Sequence, residues 1–119
     1  MKINKVLVIH GPNLNLLGTR EPEIYGSMTM QDINEDLAKQ AKKHNIEIDF
    51  FQSNHEGEII DKLHEASDIF DGVVINPGAF SHYSYAIYDA IKSININCVE
   101  VHISNIHQRQ EEFRKKSVT

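Results

Sequence analysis

Apolar residues follow two different periods along the chain, and together these periods predict alternating strands and helices. Runs rich in β-branched and aromatic residues predict strands at Lys5–His10, Ile46–Gln52, Val73–Ile75 and Asn97–Ile103. Apolar side chains at helical spacing predict helices from Thr29 to about Asn45, from Ser53 to about Ala66, from about Phe80 to Ile94, and from Ser104 or Asn105 to Arg114. Thr29 suits an N-cap, with Asp32 three residues later in place of the usual Glu of a capping box.

The order of these elements is a strand followed by a helix, repeated along the whole chain. Such alternation predicts an α/β fold with a parallel, doubly wound sheet and right-handed crossovers. In the common flavodoxin-like order the first and third strands are neighbours. We therefore expect one three-layer α/β/α domain over residues 1–119, with no interdomain linker.

The charge and composition of the chain exclude several classes of function. The net charge of −5 argues against non-specific binding to nucleic acid or to a membrane surface. No apolar run approaches the roughly 18 residues of a membrane helix. Met1 leads directly into the first strand, which predicts no signal peptide and a cytoplasmic protein. The single cysteine, Cys98, lies in an apolar-leaning run, which favours a small core residue over a reactive thiol.

Polar side chains cluster where three of the predicted strands end. The clusters are Gly11–Tyr25 with Asn13, Asn15 and Arg20, then Asn76–His82, then Glu100–Ser104. Because open α/β sheets bind ligands at the carboxyl ends of their strands, we expect these loops to converge on one crevice. Any one cluster alone would fit ordinary turn chemistry, since Asn, Pro and Gly are turn residues.

Glu100 and His102 are two residues apart on a predicted strand, so their side chains should share a face. A carboxylate that binds one imidazole nitrogen fixes the tautomer and raises the basicity of the other nitrogen. His102 is therefore a candidate general acid, and a purely structural pair is the alternative. His82, near a helix start, suits an anion or a hydroxyl-rich ligand, or else a solvated or capping role.

Tyr25 is a candidate base if cations surround it. A free phenol has a pKa near 10 and is a poor base at neutral pH, but nearby cations favour the phenolate. Arg20 lies in the same loop, and Arg109 and Arg114 belong to the predicted last helix. Gly18 and Gly26 could act as hinges of a lid. The alternative is an exposed tyrosine beside an exposed arginine.

Other chemistries fit the sequence poorly. The seven histidines include no HExxH motif and no cysteine cluster, so we expect no metal. Gly11-Pro-Asn-Leu-Asn matches neither GxGxxG nor a Walker loop. His10 is expected to be packed rather than reactive. Three further histidines are expected on the surface: His44, His55 and His64.

Three long motifs, in this order, resemble those of type II 3-dehydroquinate dehydratases. They are Gly11-Pro-Asn-Leu-Asn-Leu-Leu-Gly18 with Arg20 and Tyr25, Ile75-Asn-Pro-Gly-Ala-Phe-Ser-His82, and Glu100-Val-His-Ile-Ser-Asn-Ile-His107. The resemblance covers essentially the whole chain. It implies a flavodoxin-like fold, a homododecamer built from trimers, no cofactor, and anti elimination of water from 3-dehydroquinate through an enolate, the third step of the shikimate pathway.

The resemblance also implies residue roles. Tyr25 would be the phenolate base activated by Arg20, Asn13 would hold a water against the enolate oxygen, and His102, oriented by Glu100, would be the acid. The substrate would be bound by Asn76, His82, the backbone of Ile103 and Ser104, and an arginine of the last helix. Asp89 would reach the site of a neighbouring subunit.

The chain departs from the family pattern in two places. The family's last-helix arginines are usually four apart, whereas Arg109 and Arg114 are five apart, and Phe113-Arg114 keeps the local pattern. We therefore expect Arg114 to bind the substrate, and Arg109 is the alternative. Family members also continue for a further strand and helix past Thr119. A tail beyond the given sequence is therefore expected, and a truncated form is the alternative. A nucleotide- or flavin-binding module and an inactive assembly subunit are the alternative functions.

Overall fold

A computed structural model describes residues 3–18, 28–82 and 84–102 of the chain. It contains a parallel sheet with strand order β2-β1-β3-β4. The strands are β1 (Lys5–His10), β2 (Glu47–Gln52), β3 (Gly72–Asn76) and β4 (Asn97–Glu100). The α-helices are α1 (Met30–Lys43), α2 (Glu56–Ile69) and α3 (Tyr85–Ser93), and short 3₁₀ helices span Leu14–Leu16 and Gly78–His82. The predicted parallel α/β fold is confirmed.

β1 lies in the middle of the sheet and has a helical layer on each side. Alternate residues of a strand point to opposite faces. Leu7 and Ile9 are buried in a core cluster with residues of α2 and α3. His10 belongs to the other face, where its ring contacts Asn34 of α1. The described elements therefore form the three layers that the sequence predicts.

The start of α1 agrees with the sequence in detail. The Thr29 hydroxyl accepts a hydrogen bond from the Asp32 N–H at 3.1 Å, and the Asp32 carboxylate accepts one from the Thr29 N–H at 3.0 Å. This reciprocal arrangement is a capping box. The pKa of the Asp32 carboxyl is lowered, because hydrogen bonds to the carboxylate from the Thr29 backbone and secondly from the Thr29 side chain favour its charged form.

The helix expected from about Phe80 to Ile94 is wrong in its first third. The 3₁₀ helix Gly78–His82 comes first, and α3 begins only at Tyr85. Ser84 separates the two, because its hydroxyl accepts from the Ile87 N–H at 3.2 Å as a new N-cap. That hydroxyl also donates to Glu56 at the first turn of α2, at 2.5 Å. In the sequence, Ser84 could have indicated the break as a possible N-cap. The helical spacing of the apolar residues around it instead predicted one continuous helix.

β4 is shorter than expected, since it ends at Glu100 rather than at Ile103. Pairing with β3 nevertheless continues one residue further, because the Val101 N–H donates to the Ile75 carbonyl at 2.8 Å. Ile103 and the predicted helix from residue 104 to residue 114 lie outside the described residues.

Candidate active site

The carboxyl ends of the strands bring the predicted polar clusters together. In the sheet register His10 is paired with Gln52 of β2 on one side and with Asn76 of β3 on the other. Glu100 of β4 is paired with Ile75, one residue before Asn76. The loops after β1 and β3 and the end of β4 therefore lie at one edge of the sheet, which is where open parallel sheets bind their ligands.

The loops after β1 and β3 cross in direct backbone contact. The Gly11 N–H donates to the Asn76 carbonyl at 2.7 Å. A Cβ at Gly11 would lie 2.6 Å from both the carbonyl carbon and the oxygen of Pro77. Gly78 has φ of +59° and faces Pro12, so a side chain there would be strained. Both loops therefore need a glycine at the crossing, which explains the positions of Gly11 and Gly78.

Asn76 is held by hydrogen bonds to its backbone carbonyl and to its side chain. It is 5% exposed, and its side-chain oxygen accepts from the Gly78 N–H at 3.0 Å. The side chain thus closes a turn of the kind that asparagine favours. This turn directs the chain back toward the β1 loop.

Asn13 adopts a left-handed backbone conformation, with φ of +67° and ψ of −1°. Asparagine tolerates this region better than other non-glycine residues. The residue is exposed at the carboxyl end of β1. Its backbone N–H donates to the side-chain oxygen of Asn54 at 2.9 Å.

Sequence reasoning missed Gln52 and Asn54, which extend the polar cluster to the end of β2. The Gln52 amide nitrogen lies 3.2 Å from the Gly11 carbonyl and 3.1 Å from the Asn54 side-chain oxygen. The available signal was the same one used for the other strands, namely a polar run directly after an apolar strand. Gln52-Ser-Asn54 carries that signal, and it was interpreted only as a helix start.

Glu100 and His102 form the predicted pair. His102 Nε2 lies 2.5 Å from Glu100 Oε2, and the two side chains are 27% and 16% exposed. The hydrogen bond to the carboxylate places a proton on Nε2 and leaves Nδ1 as the nitrogen that can accept or release a second proton. A partly exposed, carboxylate-oriented imidazole at the ligand-binding edge of the sheet is suited to general acid or base chemistry.

Cys98 is a poor nucleophile, as predicted. It lies two residues before Glu100 on β4 and is half-buried. Burial, and secondly the charge of Glu100, raise the pKa of the Cys98 thiol to about 11. The thiolate is therefore scarce at neutral pH.

His10 is packed rather than reactive, which confirms the prediction. It is 4% exposed, its Nε2 lies 2.7 Å from the Asn34 side-chain oxygen, and its ring is parallel to that of Phe50 at 6.4 Å. Burial lowers the pKa of His10, and the hydrogen bond to Asn34 opposes this in part. The three histidines expected on the surface are exposed: His44, His55 and His64.

The remaining candidate residues are described in part or not at all. Asp89 is exposed on α3, four residues after the exposed Tyr85. His82 ends the second 3₁₀ helix, and its side chain lies outside the described part of the structure. Six further candidates lie wholly outside the described residues: Arg20, Tyr25, Ile103, Ser104, Arg109 and Arg114.

The described residues contain neither a metal-binding group of side chains nor a membrane-spanning helix. Within residues 3–18, 28–82 and 84–102, no three His, Cys, Asp or Glu side chains are grouped so that they could hold a metal ion. In the same part of the chain, no helix has the length and apolar character needed to cross a membrane.

Known proteins resemble this chain along nearly its whole length. The family model described as Dehydroquinase class II matches residues 4–119. A Caldicellulosiruptor bescii protein named 3-dehydroquinate dehydratase is 61% identical over 117 residues, which cover 98% of this chain and 80% of that protein. A Bacillus pumilus protein of the same name is 62% identical over 112 residues, covering 94% and 76% of the two chains.

A solved structure resembles the fold just as closely. The crystal structure of type II dehydroquinase from Butyrivibrio crossotus superposes with a TM-score of 0.94 at 54% sequence identity, covering 98% of this chain and 81% of that one. The parallel sheet, the loops that cross at Gly11 and the Glu100–His102 pair thus occur in a chain whose sequence and fold match one family throughout. The chain belongs to the dehydroquinase class II family.

Proposed function

We propose that this protein removes water from 3-dehydroquinate to give 3-dehydroshikimate, the third step of the shikimate pathway. The observation that carries the proposal is the Glu100–His102 pair, held at 2.5 Å at the carboxyl edge of the sheet, one register position from Asn76. Elimination of a hydroxyl requires a general acid, and this pair supplies one. Relatives that share most of this sequence carry the name 3-dehydroquinate dehydratase.

The proposed reaction is an anti elimination through an enolate. The Tyr25 phenolate, stabilised by Arg20, takes the C2 proton, and the electron pair moves onto the C3 carbonyl oxygen. Asn13 holds a water against that oxygen, an electrostatic role of the oxyanion-hole kind. The enolate then re-forms the carbonyl as the C1–C2 double bond is made. The C1 hydroxyl leaves as water with a proton from His102, which Glu100 orients.

The other candidates bind the substrate in this proposal. The substrate hydroxyls are bound by Asn76, His82 and the backbone of Ile103 and Ser104. The substrate carboxylate is bound by Arg114, and Arg109 is the alternative for this role. The exposed position of Asp89 on α3 allows it to reach a neighbouring subunit. Trimers assembled into a homododecamer would complete the site in this way. No cofactor takes part, and we place the enzyme in the cytoplasm.

The test is to add 3-dehydroquinate to the purified protein and to follow the ultraviolet absorbance of the conjugated product. A rise that survives borohydride treatment is expected, because the proposed mechanism forms no Schiff base with a lysine. No rise would refute the proposal, and a flavin or nucleotide that copurifies would favour a binding module instead. Particle mass would show whether an inactive preparation had also failed to assemble.

The role of Tyr25 is tested by Tyr25→Phe, with Tyr88→Phe as the matched control. Loss of a general base should lower kcat by roughly 10²- to 10⁴-fold while substrate binding largely survives. Tyr88 packs its ring 5.3 Å from the Lys92 ammonium, a contact that phenylalanine keeps. Near-normal turnover by Tyr25→Phe would exclude the mechanism. Arg20→Ala should move the acidic limb of the pH profile upward, because the Tyr25 phenol loses the cation that favours its phenolate, and an unchanged profile would exclude Arg20 as the activator.

A further inference from the structure

The end of β2 makes a small network of amides with the loop that carries Asn13. The Asn54 side-chain oxygen accepts from the Asn13 backbone N–H at 2.9 Å and from the Gln52 amide nitrogen at 3.1 Å. That nitrogen also lies 3.2 Å from the Gly11 carbonyl and 3.4 Å from the side-chain oxygen of Asn15. The side chains of Gln52, at the end of β2, and of Asn54, two residues later, thus contact both ends of the turn from Gly11 to Asn13.

Fixed backbone groups determine how both amides are oriented. The Asn13 N–H can only donate, so the atom of Asn54 that faces it must be the oxygen. The Gly11 carbonyl can only accept, so the atom of Gln52 that faces it must be the nitrogen. Gln52 then donates to the oxygen of Asn54 as well. The two amides are therefore oriented consistently, and neither can be reversed without losing at least two contacts.

Asn54 lies one residue before the N-cap position of α2, the position at which asparagine usually accepts from the N–H groups of a helix. The Ser53 hydroxyl, rather than Asn54, accepts from the His55 N–H at 2.9 Å. His55 is the N-cap residue of α2 and makes no side-chain cap hydrogen bond. Asn54 is instead turned across the sheet edge toward the β1 loop, which is where the candidate active site lies.

We propose that Asn54 is a positioning residue that holds Asn13 in its left-handed conformation, and that Gln52 orients Asn54 for this task. The proposal rests on the function proposed above, in which Asn13 stabilises the enolate. A left-handed conformation is unfavourable for any residue with a Cβ. A dedicated acceptor for the Asn13 N–H offsets that cost and sets the direction from which the Asn13 side chain leaves the backbone.

The kinetic test compares Asn54→Ala with Asn54→Asp. Alanine removes the acceptor, and we expect kcat to fall roughly 2- to 13-fold, the range of one hydrogen bond, with little change in KM. Aspartate keeps an oxygen at the same place and should restore most of the turnover. Asn95→Ala, at an exposed asparagine before the amino end of β4, is the matched control and should behave as the unsubstituted protein. Equal losses for alanine and aspartate, or none for alanine, would refute the proposal.

A second background separates positioning from general destabilisation. Asn13→Gly removes the Asn13 side chain but keeps the left-handed backbone accessible. If Asn54 acts through that side chain, Asn54→Ala should have no further effect on kcat in this background. Losses that multiply would show that Asn54 acts elsewhere. Gln52→Glu replaces the donor nitrogen by oxygen and should reproduce the defect of Asn54→Ala.

Hydrogen exchange tests the same contact without reference to activity. In the assembled protein, mass spectrometry of peptides covering the β1 loop should show faster exchange of the Asn13 amide in Asn54→Ala and not in Asn95→Ala. Exchange of the Asn13 amide could become faster in Asn54→Ala while the unsubstituted protein fails to dehydrate 3-dehydroquinate. In that case the proposed function is refuted, but the positioning of Asn13 by Asn54 is supported. If the unsubstituted protein dehydrates 3-dehydroquinate and Asn54→Ala alters neither the exchange of the Asn13 amide nor kcat, the proposed function is supported and the positioning role of Asn54 is refuted.

Discussion

Gly11→Ala is the substitution whose cost can be worked out most directly from the structure. An added Cβ would lie 2.6 Å from the carbonyl carbon and oxygen of Pro77 and 2.9 Å from the Asn76 oxygen. All three atoms belong to backbone, so no side-chain rotation can relieve the contact. The two loops must separate by several tenths of an ångström, and the Gly11–Asn76 hydrogen bond of 2.7 Å must weaken or break.

The expected magnitude combines two effects. Overpacking a buried site costs about 1–3 kcal/mol. Loss of one backbone hydrogen bond costs a further 0.5–1.5 kcal/mol, roughly. Gly11→Ala should therefore lower the free energy of unfolding by about 2–4 kcal/mol. Turnover should fall as well, because the same hydrogen bond joins the loops that carry Asn13 and Asn76.

The matched control is Gly57→Ala, the same change in the first turn of α2. A Cβ at Gly57 meets no atom within 4 Å, and the position is exposed. Alanine there should stabilise the protein by about 0.5–1 kcal/mol through helix propensity. The assay is urea unfolding followed by circular dichroism at one fixed protein concentration, since the chain has no tryptophan. A Gly11→Ala variant within about 0.5 kcal/mol of the unsubstituted protein would refute the steric reasoning.

Three further predictions use the core and the titratable groups. Leu63→Ala should lower the free energy of unfolding by about 3 kcal/mol in the same assay, because Leu63 is 0% exposed; a loss under about 1 kcal/mol would show that the core collapses around the gap. Stability should fall as the pH drops below about 6.5, by up to about 1.4 kcal/mol per pH unit, because the unfolded chain protonates His10 before the folded one does. His10→Gln should flatten that slope in urea titrations at successive pH values, and an unchanged slope would assign it to other groups. Glu100→Gln should speed alkylation of Cys98 at fixed pH, because removing the negative charge lowers the pKa of the thiol; an equal rate would contradict the coupling.

Local signals predicted most of the elements, because the residues that define them act over a few positions. The β-branched run of β1 and the Thr29–Asp32 capping box each lie within one segment of sequence, and both are present as expected. The predicted roles of His10 and Cys98 also follow from local apolar context. Such features can be predicted without knowing which distant segments contact each other.

The failures concern interactions between distant segments. Ser84 interrupts the third helix while bonded to Glu56, 28 positions earlier. Asn54 serves Asn13, 41 positions earlier, rather than the helix beside it. The neighbouring sequence offers a serine and an asparagine suited to capping, but it does not show the distant partner that each residue binds. The roles assigned to Tyr25 and Arg20 stay predictions, because both residues lie outside the described part of the chain.

The parallel sheet has a consequence for how the protein is made. Every strand pairing in the described sheet is parallel, and β1 pairs with β2 and β3 across whole intervening helices. Even the hydrogen bond from the Asn4 N–H to Asp71 joins residues 67 positions apart. Chains with such high contact order fold slowly compared with helical bundles. During synthesis β1 stays without its neighbours until β2 and β3 have left the ribosome, so the nascent chain exposes the apolar side chains of this strand during that interval.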